Sequence, residues 1–389
     1  MGHLRRCRAI AHALVEGRRN LSVLILSGSP IIGSFDFRAR VDFVRVPGVI
    51  KLRNGEYTSL NLLIDTDETL AMRASVIQHT ADIFDPDIFI VDKEPLGLRG
   101  EVEATLEMLK ARGTHLVLSL RDVLDEPGLL KPEWKRKNAM PALRNIYHQI
   151  WVYGLQQICD PIAEIGLPKS VRNKVVFTGY LPRMVSDHVP PPPIAEKISE
   201  PYLLLTTGGG GDGETLVDWV LRAYESDNPP PHDLIIVLGP FMPTKSQARL
   251  RRRSAKLERV RTIVFDSHIE SLMAGASGVI AMGGYNTFCE ILSLDKRALI
   301  VPREVPRKEQ LIRASRAKDL GLVSILLDDG RRDPQVMATA LRQLPQQKLP
   351  SEVVIPGLLD GFVNLKRLVS MCLTTRKRTA PYAVARRTA

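Results

Sequence analysis

The 389-residue sequence predicts an α/β protein of two Rossmann-like, doubly wound domains that face each other across an interdomain cleft. Three observations predict it. Short β-branched or Leu-rich runs alternate with helical stretches from end to end, which is the pattern of parallel sheets with crossover helices. The length suits two cores of roughly 100–200 residues each. A run of four prolines, Pro190 to Pro193, separates two such alternating series, because each proline removes a backbone donor and favours an extended connector over helix or central strand.

The first series opens with a helix at Leu4–Val15, where Leu4, Cys7, Ala11, Leu14 and Val15 share one face at helical spacing. Strands are expected at Leu21–Ser27, Val41–Val46, Asp87–Asp92, His115–Leu120, Ile150–Tyr153 and Val175–Thr178. The second series places strands at Tyr202–Thr206, Asp233–Leu238, Thr262–Phe265, Gly278–Ala281, Arg297–Val301 and Val323–Leu327, with a last helix over Leu358 to Leu373. The expected organisation is a first domain at 1–188, a proline-rich linker at 189–199, a second domain at 200–356, a C-terminal helix at 357–373 and a basic, disordered tail at 374–389. No short fixed-period repeat is present, so solenoid architectures are excluded.

Bulk composition narrows the function classes. The longest apolar runs fall far below the roughly 18 residues that span a bilayer, and no signal-peptide pattern opens the chain, so a cytoplasmic location is expected. Cys7, Cys159, Cys289 and Cys372 are scattered and form no C-x-x-C pair, which argues against a zinc site or a disulfide framework; no metal and no cofactor is expected. Lys and Arg number 54 against 43 Asp and Glu, and the excess concentrates at Arg249–Arg261 and in the tail after Cys372. Such clusters can attract an anionic membrane face or an acidic substrate, and otherwise make a solvated helix face. No aromatic interleaving accompanies them, so nucleic acid is not an expected partner.

Chemistry is written most clearly at Thr206-Thr207-Gly208-Gly209-Gly210-Gly211-Asp212-Gly213-Glu214, where a strand runs into a glycine loop and then a helix. Absent Cβ atoms let backbone amides approach an oxyanion, and a helix N-terminus adds partial positive charge, so the loop suits a phosphate or diphosphate. The next strand ends Val237-Leu238-Gly239-Pro240 without the acidic residue a dinucleotide site wants, which argues against NAD. A second strand enters Gly283-Gly284-Tyr285-Asn286-Thr287, with Asn286 or Thr287 placed to cap the following helix. Glu290, three residues after Thr287, either closes a capping box or accepts hydrogen bonds from ribose hydroxyls. A third polar loop, Val301 to Gln310, opens another helix; three such loops at strand ends describe a ligand crevice. Asp65-Thr66-Asp67 and Asp85-Pro86-Asp87 match D-x-D, but a helix start and a helix exit account for them.

In order and spacing, these elements over residues 203 to 327 resemble the C-terminal domain of family-28 glycosyltransferases, whose best-known member adds N-acetylglucosamine to a lipid-linked muramyl pentapeptide. The resemblance implies a GT-B fold. It implies that Gly208, Gly209, Gly210 and Gly211, with Gly283, Gly284, Tyr285, Asn286 and Thr287, hold the donor diphosphate, that Glu290 holds the ribose, and that Gln310 holds the donor sugar. His268 and Ile269, in Phe265-Asp266-Ser267-His268-Ile269, resemble the loop near the base. Met1-Gly2-His3-Leu4-Arg5-Arg6 resembles the family's glycine turn with a histidine opening the first helix. The strand that precedes that turn in the family is absent here, so either the start lies further upstream or the first domain folds without that strand.

The expected activity is transfer of a sugar from a nucleotide-diphosphate sugar, a UDP-sugar, to an acceptor hydroxyl, by an inverting and metal-independent route. The acceptor is a glycan, a lipid-linked molecule or a small molecule, and the basic clusters suggest peripheral contact with the inner face of a membrane. His3 is the expected base, because an imidazole titrates near neutrality, with Asp92 in reserve. The alternatives are a nucleotide-sugar epimerase or hydrolase of the same fold, or a non-catalytic nucleotide-sugar-binding protein.

Overall fold

The structure is a computed structural model that describes residues 2–51, 57–185 and 201–375. The proline-rich linker lies outside these residues, as does the expected basic tail from residue 376 onward, while Thr374 and Thr375 end the last helix. The first half runs α1 (Gly2–Gly17), β1 (Val23–Ser27), β2 (Val41–Arg45), β3 (Val49–Lys51), β4 (Tyr57–Ser59), α2 (Thr66–Phe84), β5 (Ile88–Asp92), α3 (Glu103–Ala111), β6 (His115–Arg121), α4 (Pro127–Arg136), α5 (Ala139–Asn145), β7 (Gln149–Tyr153), α6 (Lys169–Arg172) and β8 (Val175–Phe177). The second half runs β9 (Tyr202–Thr206), α7 (Glu214–Tyr224), β10 (Asp233–Val237), α8 (Thr244–Ser254), β11 (Val260–Ile263), α9 (Ile269–Gly275), β12 (Ala276–Ala281), α10 (Tyr285–Ser293), β13 (Ala298–Ile300), α11 (Glu309–Asp319), β14 (Ser324–Ile325), α12 (Pro334–Gln343) and α13 (Gly361–Thr375).

The second-half sheet has the order β11-β10-β9-β12-β13-β14, all parallel, so the strand order reverses between β9 and β12. Its inner strands β9, β10, β12 and β13 are mostly apolar and buried because both faces are covered, while the edge strands β11 and β14 are only partly buried. Leu204, Ile235, Val279 and Ile300 pack on one side with α9, α10 and α11, while Leu203, Leu205, Leu234, Ile236 and Ile280 pack on the other with α7 and α12. In the first half, β5-β6-β7-β8 form one parallel sheet, and β1 pairs with β2 in another. The short antiparallel hairpin β3–β4 has no counterpart in the sequence reading, since three-residue strands show too little alternation to detect.

α13 carries Leu365, Leu368, Val369 and Cys372 back onto Ile10, Leu14, Val117 and Trp151 of the first half. Asn364 Nδ2 donates to the Thr178 carbonyl at 2.9 Å. The last helix thus ties the second half to the first. The two D-x-D matches are structural: Asp65 Oδ1 caps α2 by accepting from the Glu68 amide at 2.7 Å, and Asp85 ends that helix in the left-handed region at φ 43°. Among the described residues no cysteine forms a disulfide bond. In the basic run, Arg249 and Arg253 are paired with Glu214, Asp218 and Glu225, while Arg251, Arg252 and Lys256 face solvent. Among the described residues no helix is long and apolar enough to cross a membrane.

Candidate active site at the interdomain cleft

Because β9 and β12 are parallel neighbours at the point where strand order reverses, the loops after them open side by side at the carboxyl end of the sheet. The glycines of the first loop divide by role. Gly210, at φ 87°, packs so closely that a Cβ would lie 2.4 Å from the Leu238 carbonyl oxygen. A Cβ on Gly208, Gly211 or Gly284 would instead meet nothing within 4 Å. The first kind folds the loop against its neighbour; the second leaves backbone open toward the cleft. Both loops lead into helices, α7 after Gly213 and α10 after Gly284, whose first amides receive no side-chain cap. Uncapped amides at two adjacent helix starts form a natural anion cradle.

The third loop braces the first two. Arg303 pairs with Asp212 in the glycine loop, and its NH2 donates to Glu309 Oε1 at 2.7 Å. The Arg303 amide donates to Gln310 Oε1 at 3.1 Å, so the oxygen of the expected sugar-binding glutamine is already engaged. Arg313 NH1 donates to the Gly283 carbonyl at 2.8 Å, fixing the second glycine turn from behind.

Several expected residues are placed otherwise than the sequence suggests. α10 begins at Tyr285, so Asn286 and Thr287 lie within its first turn and cap nothing. Asn286 bridges the halves instead: its Nδ2 donates to the Gly2 carbonyl at 3.0 Å, and its Oδ1 accepts from Arg183 NH2 at 3.1 Å. The Tyr285 and Ile269 side chains are buried in the core, leaving only their backbone for a ligand. His268 precedes α9, its amide donating to Asp266 Oδ1 at 2.7 Å and its Nδ1 lying 3.0 Å from Ser267 Oγ. Glu290 closes no capping box. It is 1% exposed, with Arg5 NH2 of α1 standing 2.8 Å from its Oε1 off the hydrogen-bonding direction. The same Arg5 NH2 donates to Glu270 Oε1 at 2.6 Å. Burial, assisted by the Glu270 charge and opposed by Arg5, raises the Glu290 pKa to about 7.

The two candidate bases prove to be partners. His3 opens α1, Asp92 ends β5, and His3 Nδ1 lies 2.6 Å from Asp92 Oδ2. Arg6, one turn further along α1 and 2% exposed, grips the same carboxylate at 2.6 and 2.7 Å and packs over the Tyr285 ring. Although burial alone would raise it, the Asp92 pKa is held well below the usual carboxylate range by Arg6 and by the His3 hydrogen bond. An ionised Asp92 receives the Nδ1–H tautomer of His3, so the 3.1 Å approach of Arg6 NH2 to Nδ1 is a cation beside a donor and not a second hydrogen bond. His3 is lowered from its ordinary pKa, first by its desolvated surroundings and then by the Arg6 and Arg121 charges, against the upward pull of Asp92. Its side chain is 57% exposed, and its other ring nitrogen takes no part in the contact with Asp92.

Charged residues that sequence reasoning did not single out hold the two halves together here. Asp122 and Arg313 form a fully buried bidentate pair, both contacts 2.6 Å, with Tyr180 Oη donating to Asp122 at 2.8 Å. Lys308 reaches Glu126 at 3.0 Å and Arg307 reaches Glu133 at 3.2 Å. Around the cleft, Arg6 Nε, Arg121 Nε, Tyr285 Oη, Glu290 Oε1, Arg303 Nε and Glu309 Oε2 are buried without a hydrogen-bond partner among the described residues. Ser29 Oγ, Thr105 Oγ1, His115 Nε2 and Arg222 Nε are unmatched as well, away from the cleft, and native interiors hold few such groups. A separate hollow of about 440 Å³ lies on the first half against Leu96, Glu103, Pro141 and Ile146, away from these groups.

Comparison with known proteins agrees with this geometry. Residues 203–352 match the family model of the glycosyltransferase family 28 C-terminal domain. No curated protein sequence matches the chain. Among solved structures it is similar to CalG4, the calicheamicin glycosyltransferase, at 16% identity and a TM-score of 0.57, with 96% of each chain covered. It is similar to MurG of Acinetobacter baumannii at 14% identity and a TM-score of 0.56, again with 96% of each chain covered. It is also similar to the UDP-GlcNAc 2-epimerase of Neisseria meningitidis at 15% identity and a TM-score of 0.58, covering 95% of this chain and 98% of that one. At such identities the structural likeness carries the fold, and the family match carries the second half. Together they give this chain the GT-B fold, with a second half that matches the family-28 C-terminal domain.

Proposed function

We propose that the chain transfers a sugar from a UDP-sugar to an acceptor hydroxyl with inversion, using His3 as the base and no metal. The observation that carries this reading is the 2.6 Å His3–Asp92 pair, set beside the second glycine turn by the Asn286–Gly2 hydrogen bond. In this reading His3 Nε2 takes the acceptor proton while Asp92 holds the tautomer and stabilises the imidazolium that forms. The leaving diphosphate meets the amides of Gly208–Gly211 and the α10 start. Ribose contact at Glu290 requires Arg5 and α1 to yield first, so donor entry is coupled to movement of α1. UDP as the nucleotide is supported by the epimerase of the same fold, whose structure holds UDP-GlcNAc. Cytoplasmic placement, with the α8 cations against a membrane face, belongs to the same proposal.

The test is a panel of UDP-sugars with glycan, lipid-linked and small-molecule acceptors, followed by UDP release and product analysis. His3→Ala is expected to lower turnover roughly 10²–10⁴-fold with donor affinity nearly intact. Unchanged turnover would remove His3 from the role of base. Turnover abolished by EDTA and restored by magnesium or manganese would overturn the metal-free route. The epimerase reading is favoured by the same neighbour; a 2-epimer or free sugar formed from donor alone would establish it.

A further inference from the structure

Arg121 is the last residue of β6, and strand alternation puts it on the same face as Ser119. Ser119 sits opposite Asp92 in the β5–β6 register, with its Oγ 3.4 Å from Asp92 Oδ1. Arg121 therefore stands two residues, roughly 7 Å, further toward the cleft from the His3–Asp92–Arg6 cluster. Arg121 is half-buried; its Nε is buried without a hydrogen-bond partner, and among the described residues it makes no ion pair. Each nearby carboxylate is engaged elsewhere: Asp92 by Arg6 and His3, Asp122 by Arg313 and Tyr180, and Glu309 Oε1 by Arg303. Burial first, then the Arg6 and Arg313 charges, lower the Arg121 pKa to about 10, which leaves it a cation at neutral pH. A desolvated cation in a positive field is costly unless an anion joins it.

We infer that Arg121 forms an anion subsite beside His3, which takes a phosphate or carboxylate group carried by one of the two substrates. This rests on the transfer reading for the substrates' identity, but not for the existence of the subsite. Two sources share the chemistry: the leaving diphosphate of the donor and an anionic group on the acceptor. The competing occupant within the protein is Glu309 Oε2, which is buried and unbonded and which a side-chain movement could bring to Arg121.

The test is calorimetric binding of inorganic phosphate, pyrophosphate and UDP to the full chain and to Arg121→Met, Arg121→Lys and Glu309→Gln. Arg121→Met should weaken phosphate and pyrophosphate roughly tenfold or more, the loss expected of a charge-assisted contact, with Arg121→Lys recovering part of it. A matching loss for UDP assigns the subsite to the donor diphosphate; unchanged UDP affinity assigns it to an acceptor anion. Wild-type protein that binds neither phosphate nor pyrophosphate, or Arg121→Met that binds both normally, overturns the subsite. Equal destabilisation by Arg121→Met and Glu309→Gln with anion affinity unaltered overturns it in favour of an internal pair. If Arg121→Met does not fold, the same comparison is made with Arg121→Lys, and pyrophosphate affinity equal to wild type then counts against the subsite. UDP that fails to bind while phosphate still depends on Arg121 would sink the transfer reading and leave the subsite standing.

Discussion

Replacing Arg6 with Met should raise the pKa of His3 and move the acid limb of the rate profile upward with it. Arg6 acts on His3 in two ways that reinforce each other. Its NH2 is a positive charge 3.1 Å from His3 Nδ1, and it draws off the Asp92 carboxylate that would otherwise hold imidazolium alone. Unit charges about 4 Å apart interact by about 1 kcal/mol in water and about 4 kcal/mol at an effective dielectric of 20. His3 is 57% exposed, so the lower figure applies, and about 1 kcal/mol corresponds to roughly 0.7 of a pH unit. Because Arg6 is buried against Asp92, its loss should also destabilise the fold by about 3–5 kcal/mol, and Arg6→Lys serves as the milder variant. The assay is an NMR titration of the His3 imidazole, assigned by its disappearance in His3→Gln, in wild type, Arg6→Met and Arg6→Lys. No substrate is needed. A folded Arg6→Met protein whose His3 pKa stays fixed or falls would refute Arg6 as one of the charges that lower it.

Two further outcomes follow from the loops. Gly210→Ala should destabilise the second half, because its Cβ would lie 2.4 Å from the Leu238 oxygen at φ 87°, whereas Gly211→Ala should melt normally yet lose nucleotide affinity; equal effects on both readouts would undo the division of roles. Glu290→Gln should weaken nucleotide binding by about 1–3 kcal/mol, to be read by calorimetry. It should also flatten stability against pH. Glu290 has its folded pKa raised to about 7, above the unfolded value near 4.3, so its contribution is fully present below about pH 4 and is lost as pH rises through 7. Urea unfolding between pH 5 and 8 that shows the same slope in wild type and Glu290→Gln would contradict the buried, proton-binding carboxylate.

The sequence by itself determined the α/β class, most strand positions and the three loops of the second half, because buried parallel strands read as continuous apolar runs and glycine turns are local. It also picked out His3 and Asp92 by chemistry, but as alternatives, and only the fold joined them, 89 residues apart, as one pair. Arg5, Arg6, Arg121, Asp122 and Arg313 carried no signal, since a charge on a helix or at a strand end reads as a solvated group until its partner is known. The ion-pair partners of Arg5, Arg6, Asp122 and Arg313 lie 86 to 285 residues away on other elements, all but that of Arg6 in the opposite half. The resemblance implied Tyr285 at the donor diphosphate and Glu290 at the ribose, but it carried no sign that helix phase sinks the Tyr285 ring into the core or that α1 covers the Glu290 carboxylate with Arg5, because burial is set by what packs across a surface and not by the residues along it.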